Sequence, residues 1–368
     1  MGLLDYYRQF DDVDQEEHNR GLRERRRRER ATALERVPVL DLSRTEWPDL
    51  PDSEIVNAAI YAARGRVNGY PDRYAAPVRA MLAGRHGVAA EQVVVGNGAG
   101  ELLQAAAHVL LQPGDELITP WPSYPLYPLM TQRAGGRPVA VDDGSLSAVL
   151  DAVGDRTRAV VLCNPNDPTG VHVPAAAVAD LAARLPDHVT LLVDEAYVQF
   201  QDAEPEDAVL RLTESFARLA VFRTFSKIYG LSGLRGGYAV ASPAASDLLS
   251  AIAPALGVNV LTQAALVHAL KTGDREIDRR RSLVIEQRSR ILRELHDLPV
   301  NAPASQANFV WLHATGLTGA ELTARLERSG VLVAPGGPLG ADDHVRASVR
   351  GPAASERLLS ALRQALER

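Results

Sequence analysis

Lysine is almost missing from this chain. Of the 40 lysine and arginine residues among 368, only Lys227 and Lys271 are lysine; the other 38 are arginine. Genome-wide composition bias accounts for some of that scarcity but does not choose the positions. Arginine stays charged and forms no imine, whereas a lysine amine can lose its proton and condense with an aldehyde. A lysine retained at 227, directly after an apolar run, marks a place where the chemistry of an amine is needed. Cysteine is scarcer still: Cys163 stands alone, which excludes an intramolecular disulfide and a cysteine-based metal cluster. No apolar run approaches the 18 or so residues of a membrane span, and no signal-peptide pattern is present, so a reducing cytoplasm is the expected compartment and no membrane partner is expected. The net charge of −6 speaks against a nucleic-acid partner. His86, His108 and His172 lack ligand-like spacing, so no metal is expected to take part in catalysis.

The apolar fraction of 46% and charged fraction of 23% are those of an ordinary globular protein, and the length predicts about two domains. Residues 1–36 are polar, with Arg and Glu interleaved through Gly21–Arg30, and read as a solvated helical extension. A large domain is expected over 53–271 and a smaller α+β domain from 37–52 together with 272–368. From residue 93 onward, short β-branched runs alternate with helical patterns such as Pro174–Leu185. The fold class is therefore α/β, with a buried, largely parallel sheet flanked by helices. Helices are predicted over Glu54–Arg64, Tyr74–His86, Glu101–Leu111, Arg279–Leu295, Thr318–Ser329 and Ala353–Leu366.

Five predicted strands end in chemically loaded turns: Gly96-Asn-Gly-Ala-Gly100, Pro120-Trp-Pro-Ser-Tyr124, Asn164–Gly170, Asp194-Glu-Ala-Tyr197 and Arg223-Thr-Phe-Ser-Lys227. Ligands of open α/β sheets sit outside the carboxyl ends of the strands, so five such ends predict one large site. A glycine-rich turn before a helix offers unpaired N–H groups and a positive dipole end to a phosphate. Ser226 and Arg235 can hold the same group from another side. Asp194, buried at a strand end, wants a cationic partner, which a protonated heterocyclic nitrogen supplies. A phosphate cradle, a ring acid and an imine-forming lysine describe a pyridoxal phosphate site.

These residues resemble the class I/II, fold-type I aminotransferases, and within them the histidinol-phosphate aminotransferase branch. The likeness is carried by Asn164–Gly170, Asp194–Tyr197 and Ser226-Lys227 with Arg235, and extended by Tyr70-Pro-Asp72, Pro122-Ser-Tyr124 and Ser305–Phe309. It spans roughly residues 37–368. The resemblance implies a seven-stranded, mostly parallel sheet and pyridoxal 5′-phosphate as cofactor. It implies transfer of an amino group from an amino acid to a 2-oxo acid. Lys227 then carries the cofactor as an imine and shuttles protons. Asp194 pairs with the ring nitrogen, Tyr197 bonds the ring phenolate oxygen, and Tyr124 stacks on the ring. Ala99, Gly100, Thr224, Ser226 and Arg235 hold the phosphate, and Tyr70 reaches the phosphate of a neighbouring subunit, making the unit a homodimer with shared active sites. Arg346 takes the substrate carboxylate with Asn308 beside it, and Trp47 lines the substrate pocket.

Three positions depart from that pattern. Asp167 stands where the family has Asn, in range of the ring phenolate. Gly100 stands where many relatives have Asp. Ala334 replaces an arginine that helps histidinol-phosphate enzymes bind the substrate phosphate, and the resulting Ala-Pro-Gly form resembles that of general α-amino-acid aminotransferases; a general or aromatic α-amino-acid aminotransferase is the alternative reading. A decarboxylase or β-lyase of the same fold stays open, because the reaction depends on which Cα bond stands perpendicular to the ring. A cofactor-sensing regulator domain is disfavoured, since 36 residues are too few for a winged helix.

Overall fold

The computed structural model describes residues 38–142 and 145–367; the expected N-terminal extension over 1–36 lies outside them. In chain order the elements open with β1 (Leu40–Asp41), α1 (Ser53–Arg66) and α2 (Ala76–His86). There follow β2 (Val93–Gly96), α3 (Ala99–Leu110), β3 (Glu116–Pro120), α4 (Leu126–Arg133), β4 (Arg137–Val141), α5 (Leu146–Asp151), β5 (Thr157–Cys163) and α6 (Ala175–Arg184). Next are β6 (Thr190–Asp194), β7 (Leu219–Thr224), β8 (Gly237–Ala241), α7 (Ser246–Ile252), α8 (Val260–Thr272) and α9 (Asp274–Leu295). The chain closes with β9 (Val300–Asn301), β10 (Phe309–Ala314), α10 (Gly319–Arg328), β11 (Val331–Leu332), β12 (Ala334–Pro335), β13 (His344–Ser348) and α11 (Pro352–Leu366).

Two compact units result. The larger comprises Thr45–Glu286 with Ala304–Asn308; the other comprises, of the described residues, 38–44, Gln287–Pro303 and 309–367. The first boundary therefore falls at 44/45 and not at 52/53, because residues 45–49 are tied into the larger unit. Thr45 bonds to Lys227, and Trp47 packs under Arg280. The second falls within α9, at 286/287, where the sequence reading expects 271/272.

The larger unit carries a seven-stranded sheet in the order β2-β8-β7-β6-β5-β3-β4. Strands β3 to β7 pair in parallel, and β8 alone runs against its neighbours β2 and β7. The five strands β2, β3, β5, β6 and β7 consequently end at one edge of the sheet. Alternation along each strand feeds two cores. Val160 and Leu162 face one that includes Val78, Leu82, Val178 and Leu181 of α2 and α6. Ala159, Val161 and Cys163 face another that includes Leu102, Leu103, Tyr127 and Met130 of α3 and α4. Each buried Val, Leu or Phe contributes about 1.5–3 kcal/mol. With both faces covered, the strands read as continuous apolar runs, as expected of a parallel sheet. Strands β4 and β8 escape sequence reading: β4 is an edge strand carrying Arg137 and Pro138, and β8 is a small-residue Gly-Tyr-Ala-Val-Ala segment.

Helix starts follow local chemistry. Asp52 caps α1, its side chain accepting from the Glu54 amide at 2.8 Å. Asp72 accepts from Tyr74 and Ala76 ahead of α2, at 3.0 and 2.7 Å. In the smaller unit, β12-β13-β10-β9 form an antiparallel sheet, and β1 pairs in parallel with β11. Thr318 and Glu321 form a capping box at the start of α10. None of the described helices is long and apolar enough to cross a membrane.

Candidate active site

The glycine-rich turn expected to cradle a phosphate lies where β2 meets α3. Gly98 sits at φ +94, a backbone state that favours glycine, and no side chain caps the helix behind it. The first turn of α3 therefore presents the uncapped amides of Ala99 and Gly100. Asn97 is locked to Glu101 instead, its amide donating to Oε2 at 2.6 Å. A side chain at Gly98 would run into Nη2 of Arg235, 2.7 Å from the Cβ position, so the guanidinium lies against the turn. Gly237 packs so tightly under Gly98 and Ala99 that no Cβ fits there. Arg235 is itself left-handed, at φ +56, and a non-glycine residue in that region is strained. Thr224 donates to Ser226 Oγ at 2.9 Å, and Arg235 Nη1 approaches that oxygen at 3.4 Å. Two hydroxyls, one guanidinium and a helix N-terminus converge on one spot, which suits a dianionic phosphate.

Asp194 ends β6 at the centre of the sheet, almost fully buried. Its Oδ2 accepts from the Tyr127 phenol at 2.9 Å and its Oδ1 from the Ala196 amide at 3.1 Å. Burial pushes the carboxyl up to about 6; the bonds from Tyr127 and Ala196 and the charge of Lys227 only partly oppose it. No ion pair reaches it among the described residues. A buried carboxylate held this way is short of a cation.

Lys227 Nζ donates to Thr45 Oγ1 at 2.6 Å and lies 5.1 Å from the centre of the Tyr197 ring. Thr45 Oγ1 also stands 3.2 Å from the Tyr197 hydroxyl, which donates to Asp167 Oδ2 at 2.9 Å. Lysine, threonine, tyrosine and aspartate thus form one hydrogen-bonded line. Tyr124 stands edge-on to Tyr127, ring centres 5.7 Å apart. Burial of its hydroxyl end, and then the Asp194 and Asp167 carboxylates, push its phenol up to about 12. The loop between Asn164 and Gly170 is pinned by Asn166, which accepts from Ser123 at 2.8 Å and donates to the Pro122 carbonyl at 3.0 Å.

Asn308 is buried and donates to the Thr45 carbonyl at 3.0 Å, while its Oδ1 has no hydrogen-bond partner among the described residues. Trp47 packs its ring under Arg280, 4.8 Å away, and donates to Asp49 at 3.2 Å. Arg346 belongs to the smaller unit. It lies over Phe309 at 5.3 Å and donates to the Ser43 carbonyl at 3.3 Å. Tyr70 is 89% exposed. It lines an open cleft of about 720 Å³ with Tyr61, Pro71, Val260 and Lys271, a lining that includes none of the other predicted site residues.

Sequence reading missed two positions. Thr45 lies 182 residues before its partner Lys227 and carries no local signal. Tyr127 is 67 residues from Asp194, and nothing local in the sequence links the two. Beneath the site, Arg223 is fully buried and bonds Glu195 at 2.8 Å, Asp207 at 2.7 Å and the Glu206 carbonyl at 2.8 Å.

The cradle and the cation-deficient Asp194 match the two ionic ends of pyridoxal phosphate, a phosphate and a ring nitrogen. The residues present fit that group. Comparison with known proteins agrees. The profile of the family described as aminotransferase class I and II matches residues 37–363. An aromatic amino acid aminotransferase of Cutibacterium acnes is 37% identical over 89% of this chain and 93% of that protein. Histidinol-phosphate aminotransferase 1 of Cupriavidus pinatubonensis is 35% identical over 92% of this chain and 91% of its own length. The histidinol-phosphate aminotransferase of Sinorhizobium meliloti, solved in complex with pyridoxal-5′-phosphate, superposes with a TM-score of 0.79 at 26% identity, covering 92% and 94% of the two chains. The chain belongs to the class I and II aminotransferases, enzymes that work with pyridoxal 5′-phosphate.

Proposed function

We propose that the amino donor is an aromatic α-amino acid and that the acceptor is a 2-oxo acid. The observation that carries this is the register of β12 against β13, which sets Ala334 directly opposite Arg346. An arginine at 334 would add a second cation beside the first, as a phosphate monoester requires. With alanine there, Arg346 suits the single negative charge of a carboxylate, which it can grip with two parallel N–H bonds. The aromatic amino acid aminotransferase named above is 37% identical, which supports the same choice. Histidinol phosphate is the second reading, favoured by the 35% identical relative of that name.

When bound, pyridoxal phosphate supplies an aldehyde that condenses with amines and a ring that accepts an electron pair. Lys227 would tether the group and move the proton at the substrate α-carbon. Asp194 would hold a proton at the ring nitrogen, its bond from Tyr127 fixing the carboxylate. Thr45 and Tyr197 orient the lysine and the phenolate side of the site. Ala99, Gly100, Thr224, Ser226 and Arg235 would carry the phosphate, and Asn308 would turn its buried Oδ1 to the substrate. Trp47 would supply apolar wall. A carboxylate gripped by Arg346 stays attached, which favours transamination over decarboxylation. We assign the exposed face of α1, with Val56, Ile60 and Tyr61, and the cleft at Tyr70 to the contact with a second copy of the chain.

The test is a half-reaction with each donor alone. The visible absorption of the loaded enzyme should bleach with phenylalanine or tyrosine and not with histidinol phosphate. Bleaching by histidinol phosphate alone would establish the second reading, and no bleaching by any of these donors would overturn both.

A further inference from the structure

We propose that His313, Asp343 and His344 form a binding site for one divalent transition-metal ion of the zinc or cobalt type, separate from the catalytic chemistry. Among the described residues this is the one cluster in which three such side chains bring ligand atoms within 4.8 Å of one another. The sheet builds it. His313 on β10 and His344 on β13 are directly opposed in the antiparallel register, so their side chains leave the same face. Asp343, in the turn ahead of β13, places its carboxylate between them. Its Oδ1 stands 2.6 Å from His344 Nδ1 and its Oδ2 3.3 Å from His313 Nδ1.

The rings are held as well as adjacent. Trp311 stacks on His344 with centres 4.9 Å apart and planes 12° apart, and the two histidine rings lie 5.1 Å apart. Ligand atoms around one zinc ion, each about 2.0–2.2 Å from it, stand roughly 3–4 Å from one another. The cluster therefore closes on an ion with side-chain movements alone. Two imidazoles and one carboxylate select a borderline metal; magnesium and calcium prefer oxygen ligands throughout. Three protein ligands leave a position for water, and the exposed Asp343 gives the ion an entry route. The other histidine–carboxylate pairs among the described residues, His86 with Asp207, His172 with Glu204 and His268 with Glu54, each bring only one imidazole.

The competing use of the cluster is a hydrogen-bonded triad that shares protons and takes no ion. The cofactor-loaded protein, stripped of metal with a chelator and re-dialysed, should be titrated with CoCl2 and with ZnCl2. The expected result is one equivalent bound per chain, with the intense visible bands of low-coordinate cobalt. His313→Asn and His344→Asn should each weaken binding about 10-fold or more, whereas His172→Asn should bind as the wild type does. Circular dichroism and the cofactor's own absorption confirm that each variant is folded. Absence of uptake by the wild type at submillimolar metal overturns the site, as does unchanged binding in both folded histidine variants at positions 313 and 344.

Discussion

The phenol of Tyr127 points its proton at Oδ2 of Asp194 from 2.9 Å, and this bond is a main brake on a carboxyl that burial drives up to about 6. An ordinary Asp titrates at 3.8. In the cofactor-free protein the folded state thus binds a proton more tightly than the unfolded chain does. Asp194 then costs nothing below about pH 4 and costs roughly 3 kcal/mol above about pH 6. Asp194→Asn, which keeps an acceptor for Tyr127, should raise the melting temperature of the cofactor-free protein at pH 8, and the gain should shrink as pH falls toward 5. With cofactor the order reverses, because the ring nitrogen loses its counter-charge: affinity and turnover should both drop, turnover by about 100-fold or more. A cofactor-free Asn variant that melts below the wild type at pH 8 would contradict this account.

Lys227→Ala should abolish the visible band of the loaded enzyme and lower turnover by about 10³-fold or more. The readout is the absorption spectrum alongside a coupled assay. Near-normal turnover without the lysine would refute the assignment of the whole site.

Asp167 accepts from Tyr197, the residue placed at the phenolate side of the ring. A carboxylate there favours positive charge on the lysine-bound form of the cofactor more than an amide does. Asp167→Asn should move the pH midpoint of the visible absorption change downward, by about one unit. An unmoved midpoint sinks the idea.

Arg223 should matter through folding alone. Its removal strands Glu195 and Asp207 around a space with no cation, a loss of about 3–5 kcal/mol. Arg223→Met should unfold at markedly lower denaturant, and Arg223→Met with Glu195→Gln should recover part of the loss. Equal midpoints for the single variant and the wild type would show that the buried pair contributes nothing.

Gly170 lies at φ +74 with Ser305 packed where a Cβ would go, and it holds the Gln306 amide at 2.7 Å. Gly170→Ala should lower stability by about 2–3 kcal/mol, read as a shift in denaturant midpoint.

Much of this was legible because parallel strands ending in polar turns leave a strong local signature. Gly96–Gly100, Asp194 and Ser226-Lys227 each announce themselves within a few residues. What stayed hidden depends on contacts distant in sequence. Thr45 acquires meaning only when Lys227 reaches it, and β8 only when β2 and β7 close on either side. In the smaller unit the sequence predicts strands but not their pairing, so the opposition of Ala334 to Arg346 and of His313 to His344 is visible only in the fold.

That second register has an evolutionary consequence. Arg346 and His344 lie two residues apart on one strand, facing Trp311 and His313 on its neighbour. Point substitutions can alter either one independently. A single-residue insertion or deletion in the 341–343 turn cannot, because slipping β13 by one position turns both side chains to the opposite face. Lineages that change the length of this turn should therefore lose the arginine and the histidine pair together, whereas loss of one alone should trace to a point substitution.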